Sequence, residues 1–178
     1  MSLKQSLIDC NTSALKEGIE FLALLGDEQY QQGFKPAFQS TIGAHFRHLI
    51  EHYRCFFNQR KDGLISYDLR ERDQRLEEDK EFAAQSIEEI IQQILALKQP
   101  DFEKQYFVQD QLCCDPIETT LQRELLFLQS HTTHHFAMIA AMSRGIGADP
   151  QDDFGVAIAT RVFAQEGSQV LEKKACAQ

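Results

Sequence analysis

Apolar residues recur at helical spacing in four long stretches, and segments rich in Gly, Pro and Asp separate them. In the first stretch Ile8, Leu15, Ile19 and Leu22 share a face, and Gly26-Asp27 supplies a stop. The second runs from about Ser40 to Arg60, with Ile42, Phe46, Leu49, Tyr53 and Phe56 as its stripe, and ends at Asp62-Gly63. The third begins between Asp73 and Glu78, turns Phe82, Ile87, Ile90, Ile91, Ile94 and Leu95 inward, and must stop before Pro100. For the fourth, Asp115 can cap, Pro116 suits the first helical position and Glu118 stands where a capping-box carboxylate would. Leu121, Leu125, Leu128, Thr132, Ile139 and Met142 then share a face. The pattern predicts an all-α fold, a four-helix bundle.

Two segments read differently. Phe102 to Cys114 suits a short hairpin before the last helix, since Tyr106, Phe107 and Val108 favour strands and Gln109-Asp110 could turn. After Gly145, Asp149-Pro150 breaks the fourth helix, and the apolar residues from Phe154 to Phe163 predict a tail packed back on the bundle. No internal repeat or long linker divides the chain. One domain over 1–178 is expected, with the bundle at about 5–145 and a C-terminal extension at 146–178.

Composition narrows the possibilities further. A chain of 178 residues can bury roughly two-thirds of its unfolded surface, so neither disulfides nor a metal is needed to hold the fold. Any metal would be functional first. The formal charge of -9, from 27 acidic against 18 basic residues, argues against nucleic acid as a partner, because phosphate binding depends on clustered Lys and Arg. The N-terminal MSLKQSLIDCNTS lacks the apolar run of a signal peptide, and no window reaches the length needed to span a bilayer. A cytoplasmic protein without membrane attachment is the expectation. Cys10, Cys55, Cys113, Cys114 and Cys176 form an odd set without C-x-x-C spacing, so buried free thiols are expected rather than a disulfide framework.

The histidines are the anomaly: all six lie at 45, 48, 52, 131, 134 and 135. On a helix His131 and His135 share a face and can aim both imidazoles at one point, as can His48 with either His45 or His52. Placed at 100° per residue, His135 falls on the apolar stripe of its helix, His131 at its edge, and His134 further away. Three imidazoles with an open fourth position are the arrangement in which a divalent ion activates water. The third ligand must come from the second helix, and spacing does not choose among its histidines. A single helical histidine is usually a surface group or a hydrogen-bonded core filler, but six in two windows favour a shared metal site over a pH-responsive cluster. H-E-x-x-H, E-x-x-H, C-x-x-C-H, G-x-S-x-G, P-loop and dinucleotide patterns are all absent.

The run Ser40-Thr41-Ile42-Gly43-Ala44-His45-Phe46-Arg47-His48-Leu49, followed by His131-Thr132-Thr133-His134-His135-Phe136, resembles the DinB/YfiT-like superfamily of metal-binding four-helix bundles. The likeness is close in these two motifs, looser between them, and spans about 5 to 145. The closest subgroup shares the Tyr67-Asp68-Leu69-Arg70-Glu71-Arg72 and Arg123-Glu124-Leu125 signatures. The resemblance implies that His48 joins His131 and His135 as metal ligands. It also implies an up-down-down-up bundle, often dimeric, holding zinc, nickel or another divalent ion. The family includes thiol S-transferases using low-molecular-weight thiols, a mycothiol-dependent isomerase, metal-dependent hydrolases and the N-terminal bundle of ergothioneine-forming sulfoxide synthases. Members of the last group carry a carboxylate two residues after the second histidine of the pair, where this chain has Ala137.

Other residues near the motifs have candidate roles. Glu124 lies two turns before His131 on the same face and could fix its ring direction, or could pair with Arg123 on the surface. His45 and His134 could hydrogen-bond the site or act as general base. Tyr67, Asp68, Arg70 and Arg72 could fold over one end of the bundle, with arginine holding a substrate carboxylate bidentately. The same D-L-R-E-R-D-Q-R run also reads as a solvated helix start. The leading functional expectation is a divalent-metal-dependent enzyme, a thiol S-transferase or hydrolase acting on a small molecule. A noncatalytic module sensing metal or pH is the alternative, and phosphotransfer on one exposed histidine is disfavoured because it needs only one.

Overall fold

In the computed structural model the chain is described over residues 2–33, 35, 39–113 and 115–165. The Cys114 and Cys176 thiols and residues 166–178 of the extension lie outside these. In chain order the helices are α1 (Leu3–Leu24), α2 (Asp27–Gln31), α3 (Ile42–Gln59), α4 (Arg75–Glu78), α5 (Lys80–Leu95), α6 (Gln99–Glu103) and α7 (Leu121–Arg144). Three short strands, β1 (Leu64–Ile65), β2 (Tyr106–Val108) and β3 (Ile117–Thr119), form one sheet in that order. Strand β1 pairs parallel to β2, with Leu64 opposite Phe107, and β3 pairs antiparallel, with Thr119 opposite Tyr106.

The four long helices are the bundle that the periodicity predicts. Helix α1 packs on α5 and α7, and α3 packs on the same two, so α1 and α3 meet across the core. They do so through Phe21 and Phe46, whose ring centroids are 6.5 Å apart. Each long helix begins on a polar cap that takes up one of the otherwise unpaired N–H groups of its first turn. Ser2 accepts from Gln5 N, Thr41 from Ala44 N, Asp79 from Phe82 N and Thr120 from Arg123 N.

Several expectations are corrected at the ends of these elements. The fourth long helix does not begin on Asp115, Pro116 and Glu118. Residues 117–119 are strand β3, and Thr120 is the cap, because the β-branched Ile117, Thr119 and Thr120 favour extended backbone that β2 can pair. The hairpin exists, but its second arm lies beyond Cys114, and Phe102 belongs to α6 rather than to a strand. Gly26 caps α2 instead of only stopping α1. Leu95, expected inside, is 54% exposed: it stands one residue round from the inward Ile94, on the final position of α5. The charged run 68–75 is not one helix start but a 3-10 turn at Tyr67–Leu69, an extended segment, and then α4.

Among the described residues, the tail packs back over its first part. Phe154 lies between Phe21 and Phe136, with centroids 4.7 and 4.5 Å away. Gly155 has φ +75°, and a Cβ there would stand 2.4 Å from Ala137 N, so the tail backbone can lie against α7 only with glycine at that point. Arg161 then forks onto Glu17 at 3.0 and 2.9 Å. On either side of Arg161, Ile158, Val162 and Phe163 are exposed.

Candidate metal centre

The rotation of α3 and α7 is set by what they bury. Phe46, Leu49 and Tyr53 on α3 and Leu128, Thr132 and Phe136 on α7 are in the core. A buried hydrogen-bond chain ties the helices together: Thr132 Oγ1 donates to Tyr53 Oη at 3.2 Å, and Tyr53 donates to Asn11 Oδ1 at 2.8 Å. Gly43 lets the start of α3 touch α4, since a Cβ there would lie 2.2 Å from Glu77 O. These restraints turn one edge of each helix toward the other, and the histidines occupy those edges.

His48, His131 and His135 each offer a ring nitrogen, all within 4.8 Å of one another, a group that could hold a metal ion. Their ring centroids are 4.5 to 5.0 Å apart. Two observations show that these nitrogens suit an ion. Nε2 of His131 is buried with no hydrogen-bond partner among the described residues, a costly state unless something else binds it. His135 Nδ1 lies 2.9 Å from His45 Nδ1, and His45 Nε2 lies 2.7 Å from Ser40 Oγ. If His135 donates to His45 and His45 donates to Ser40, the chain is satisfied and His135 Nε2 keeps a bare lone pair. That is the form in which imidazole binds metal.

Burial and crowding keep these rings neutral. Desolvation, followed by the neighbouring imidazoles, pushes His135 down to about 2. Burial, then His52, His131 and Arg70, takes His48 to about 3, and burial with His52, His134 and Arg70 takes His131 to about 4. His45 and His52 are also lowered, chiefly by burial. The unfolded chain therefore binds more protons than the folded one below the ordinary histidine value of 6.5, and stability must fall there as the pH is lowered. Thermal melts of metal-free protein are expected to show a declining Tm from about pH 6.5 to 5, a slope that His135→Ala flattens. An unchanged Tm over that window would refute the neutral cluster.

The family model for DinB matches residues 1–160. The chain belongs to the DinB family. No curated protein matches it.

Around the histidines of this DinB chain the other candidates separate. Glu124 is fully buried, but its carboxylate accepts from Tyr67 Oη and from Thr119 Oγ1, both at 2.7 Å. It hydrogen-bonds to no histidine among the described residues, and exposed Arg123 approaches it at 3.5 Å. Glu124 thus anchors Tyr67, whose ring stacks on His52 at 5.5 Å. His52 is buried; its Nδ1 donates to His48 O at 2.7 Å and its ring lies 4.4 Å from His131. His134 is exposed beside His135.

The loop after α3 divides in the same way. Arg70 comes to the site: Nη2 is 3.5 Å from His48 Nδ1, Nη1 donates to Tyr67 O at 3.0 Å, and Nε is 3.5 Å from Glu51 Oε2. Arg72 is exposed, without a polar partner among the described residues. Sequence reasoning missed Ser40 and Glu51. Glu51 stands one turn after His48, is 2% exposed and accepts from Asp73 N at 2.9 Å. A carboxylate spaced three residues from a ligand histidine on an apolar stripe is the signal that could have found it. No described helix is long and apolar enough to cross a membrane.

Proposed function

We propose that this DinB-family protein is a divalent-metal-dependent enzyme that acts on a small molecule, with thiol S-transfer as its reaction class and hydrolysis as the second. The observation that carries this reading is the meeting of three neutral histidines, one with an orphaned Nε2, beside a cavity. His48, His131 and His135 would hold the ion, and zinc or nickel suits an all-imidazole set. A divalent ion there supplies Lewis acidity, making a thiol or water acidic enough to act as a nucleophile near neutral pH.

The chain's own groups have defined parts. His45 and Ser40 fix the tautomer of His135. Arg70 lines a cavity of about 520 Å³ while also lying against His48, so it can hold a substrate anion next to the ligand set. Exposed His134 is free to take or give a proton as substrate arrives. The proposed partners are a low-molecular-weight thiol and, following the family pattern, a second copy of the chain.

Metal-loaded protein is expected to accelerate transfer of bacillithiol, mycothiol or glutathione to an electrophile, and to lose that activity on chelation. Chelation-sensitive ester or amide hydrolysis without thiol transfer would select the hydrolase class. Neither activity, with metal bound tightly, would favour a noncatalytic metal-sensing role.

A further inference from the structure

Arg70 stands between two acceptors and closes fully on neither. Its Nη2 is 3.5 Å from His48 Nδ1 and its Nε is 3.5 Å from Glu51 Oε2, while Nη1 donates to Tyr67 O at 3.0 Å. Nε and Nη2 form one edge of the guanidinium, the edge that can take a carboxylate side-on. Here that edge is shared between an imidazole and a carboxylate. Glu51 is already paired through its other oxygen: Oε1 accepts from Asp73 N at 2.9 Å and lies 3.7 Å from Arg47 Nε, and Arg47 in turn reaches Glu77 at 2.6 Å. Oε2 is the oxygen turned to Arg70, and it and Arg70 Nε are both buried without a hydrogen bond. An ion pair held just short of hydrogen bonding leaves both atoms in a costly state that a small movement of Arg70 would end.

His48 decides which acceptor the edge keeps. A guanidinium carries only donors, and a neutral imidazole has one N–H and one lone pair. With Nδ1 facing Arg70, the proton of His48 therefore stands on Nε2. A metal ion on His48 is incompatible with that contact. Ligation through Nδ1 uses the lone pair that faces Arg70, and ligation through Nε2 puts the proton on Nδ1, where it meets the guanidinium donor to donor. A divalent charge beside the guanidinium adds repulsion in either case. We infer that Arg70 is a metal-coupled switch, which covers His48 in the metal-free protein and closes its Nε and Nη2 edge onto Glu51 Oε2 when His48 is ligated. Resting on the metal-centre reading of His48, this makes Arg70 a competitor of the ion and Glu51 the group that draws the competitor away. The affinity of the site is then set in part by two residues that are not ligands.

The test uses the full-length protein at neutral pH, metal-free and zinc-loaded. In metal-free wild type, long-range proton–nitrogen NMR correlations should show His48 with a bare Nδ1 and a protonated Nε2. Zinc should move the Arg70 Nε–H resonance downfield, as an N–H does when it gains a carboxylate acceptor. Competition with a chelator supplies a second readout. Arg70→Met, checked for native circular dichroism, should bind zinc at least about tenfold more tightly than wild type, since the competitor is gone. Glu51→Gln should bind it about threefold or more weakly, and that loss should be absent when Arg70 is already methionine, because Glu51 acts through Arg70. A purely structural role for Arg70 predicts the opposite sign, with zinc bound as in wild type or more weakly. The wild-type spectra decide the matter if a variant does not fold. A metal-free His48 with its proton on Nδ1, an Arg70 Nε–H that zinc leaves in place, or an Arg70→Met protein without tighter zinc binding would each overturn the inference while leaving the metal centre standing. Wild-type protein that binds no zinc, nickel or other divalent ion would overturn both.

Discussion

Replacing His131 or His135 with alanine is expected to abolish stoichiometric binding of a divalent ion while leaving the helical content unchanged. Either change removes one of the three nitrogens that converge within 4.8 Å among the described residues. Two remaining imidazoles cannot hold a labile divalent ion against dialysis, so affinity should fall by well over the roughly 10–100-fold typical of an outer-partner change. His45→Ala provides that comparison. It leaves all three nitrogens in place and removes only the partner of His135 Nδ1, so it should cost about 10–100-fold. The graded order, with His45→Ala between wild type and the ligand variants, is read by elemental analysis after dialysis and by competition with a chelator. Retained stoichiometric metal in both ligand variants would remove these residues from the site.

The second large effect concerns stability. Phe136→Ala should destabilise the fold by about 3–5 kcal/mol in chemical denaturation. The ring is 1% exposed and lies 5.8 Å from Phe46 and 4.5 Å from Phe154. The helix α1 backbone meets it at Gly18, where a Cβ would stand 2.7 Å from Phe136 Cζ. One truncation thus opens the core where α1, α3, α7 and the tail meet, and rigid backbone at Gly18 limits collapse into the gap. Leu126→Ala is the control: that residue is 57% exposed on the same helix, and its loss should stay within about 0.5 kcal/mol. A Phe136→Ala cost below about 1 kcal/mol would mean that the tail and the bundle are not packed as described.

The bundle was legible because helical periodicity is a local property. Phe46, Leu49 and Tyr53 mark one face of α3 without knowledge of any partner, and all three are buried. The start of α7 was misread because Asp115, Pro116 and Glu118 satisfy every local rule for a helix start. What overrides them is pairing with β2, a partner about ten residues away that capping rules do not consider. The histidine windows stood out by composition, and H-x-x-x-H spacing paired His131 with His135. The choice of His48 over His45 and His52 depends on the rotation of α3 against α7, which periodicity fixes only loosely; family resemblance supplied it. The hydrogen bond between His45 and His135 spans ninety positions, and the burial of Glu51 depends on the loop at Asp73 folding over α3. Neither leaves a trace in local spacing.

The central claim, that three histidines of this DinB-family chain form one metal centre, is tested most directly by diffraction from metal-loaded crystals at the absorption edge of the bound ion. One anomalous peak per chain is expected, within bonding distance, about 2.0–2.1 Å, of a ring nitrogen from each of His48, His131 and His135. A peak held by any other set of residues, or no peak at these three from protein shown to carry metal, would contradict it.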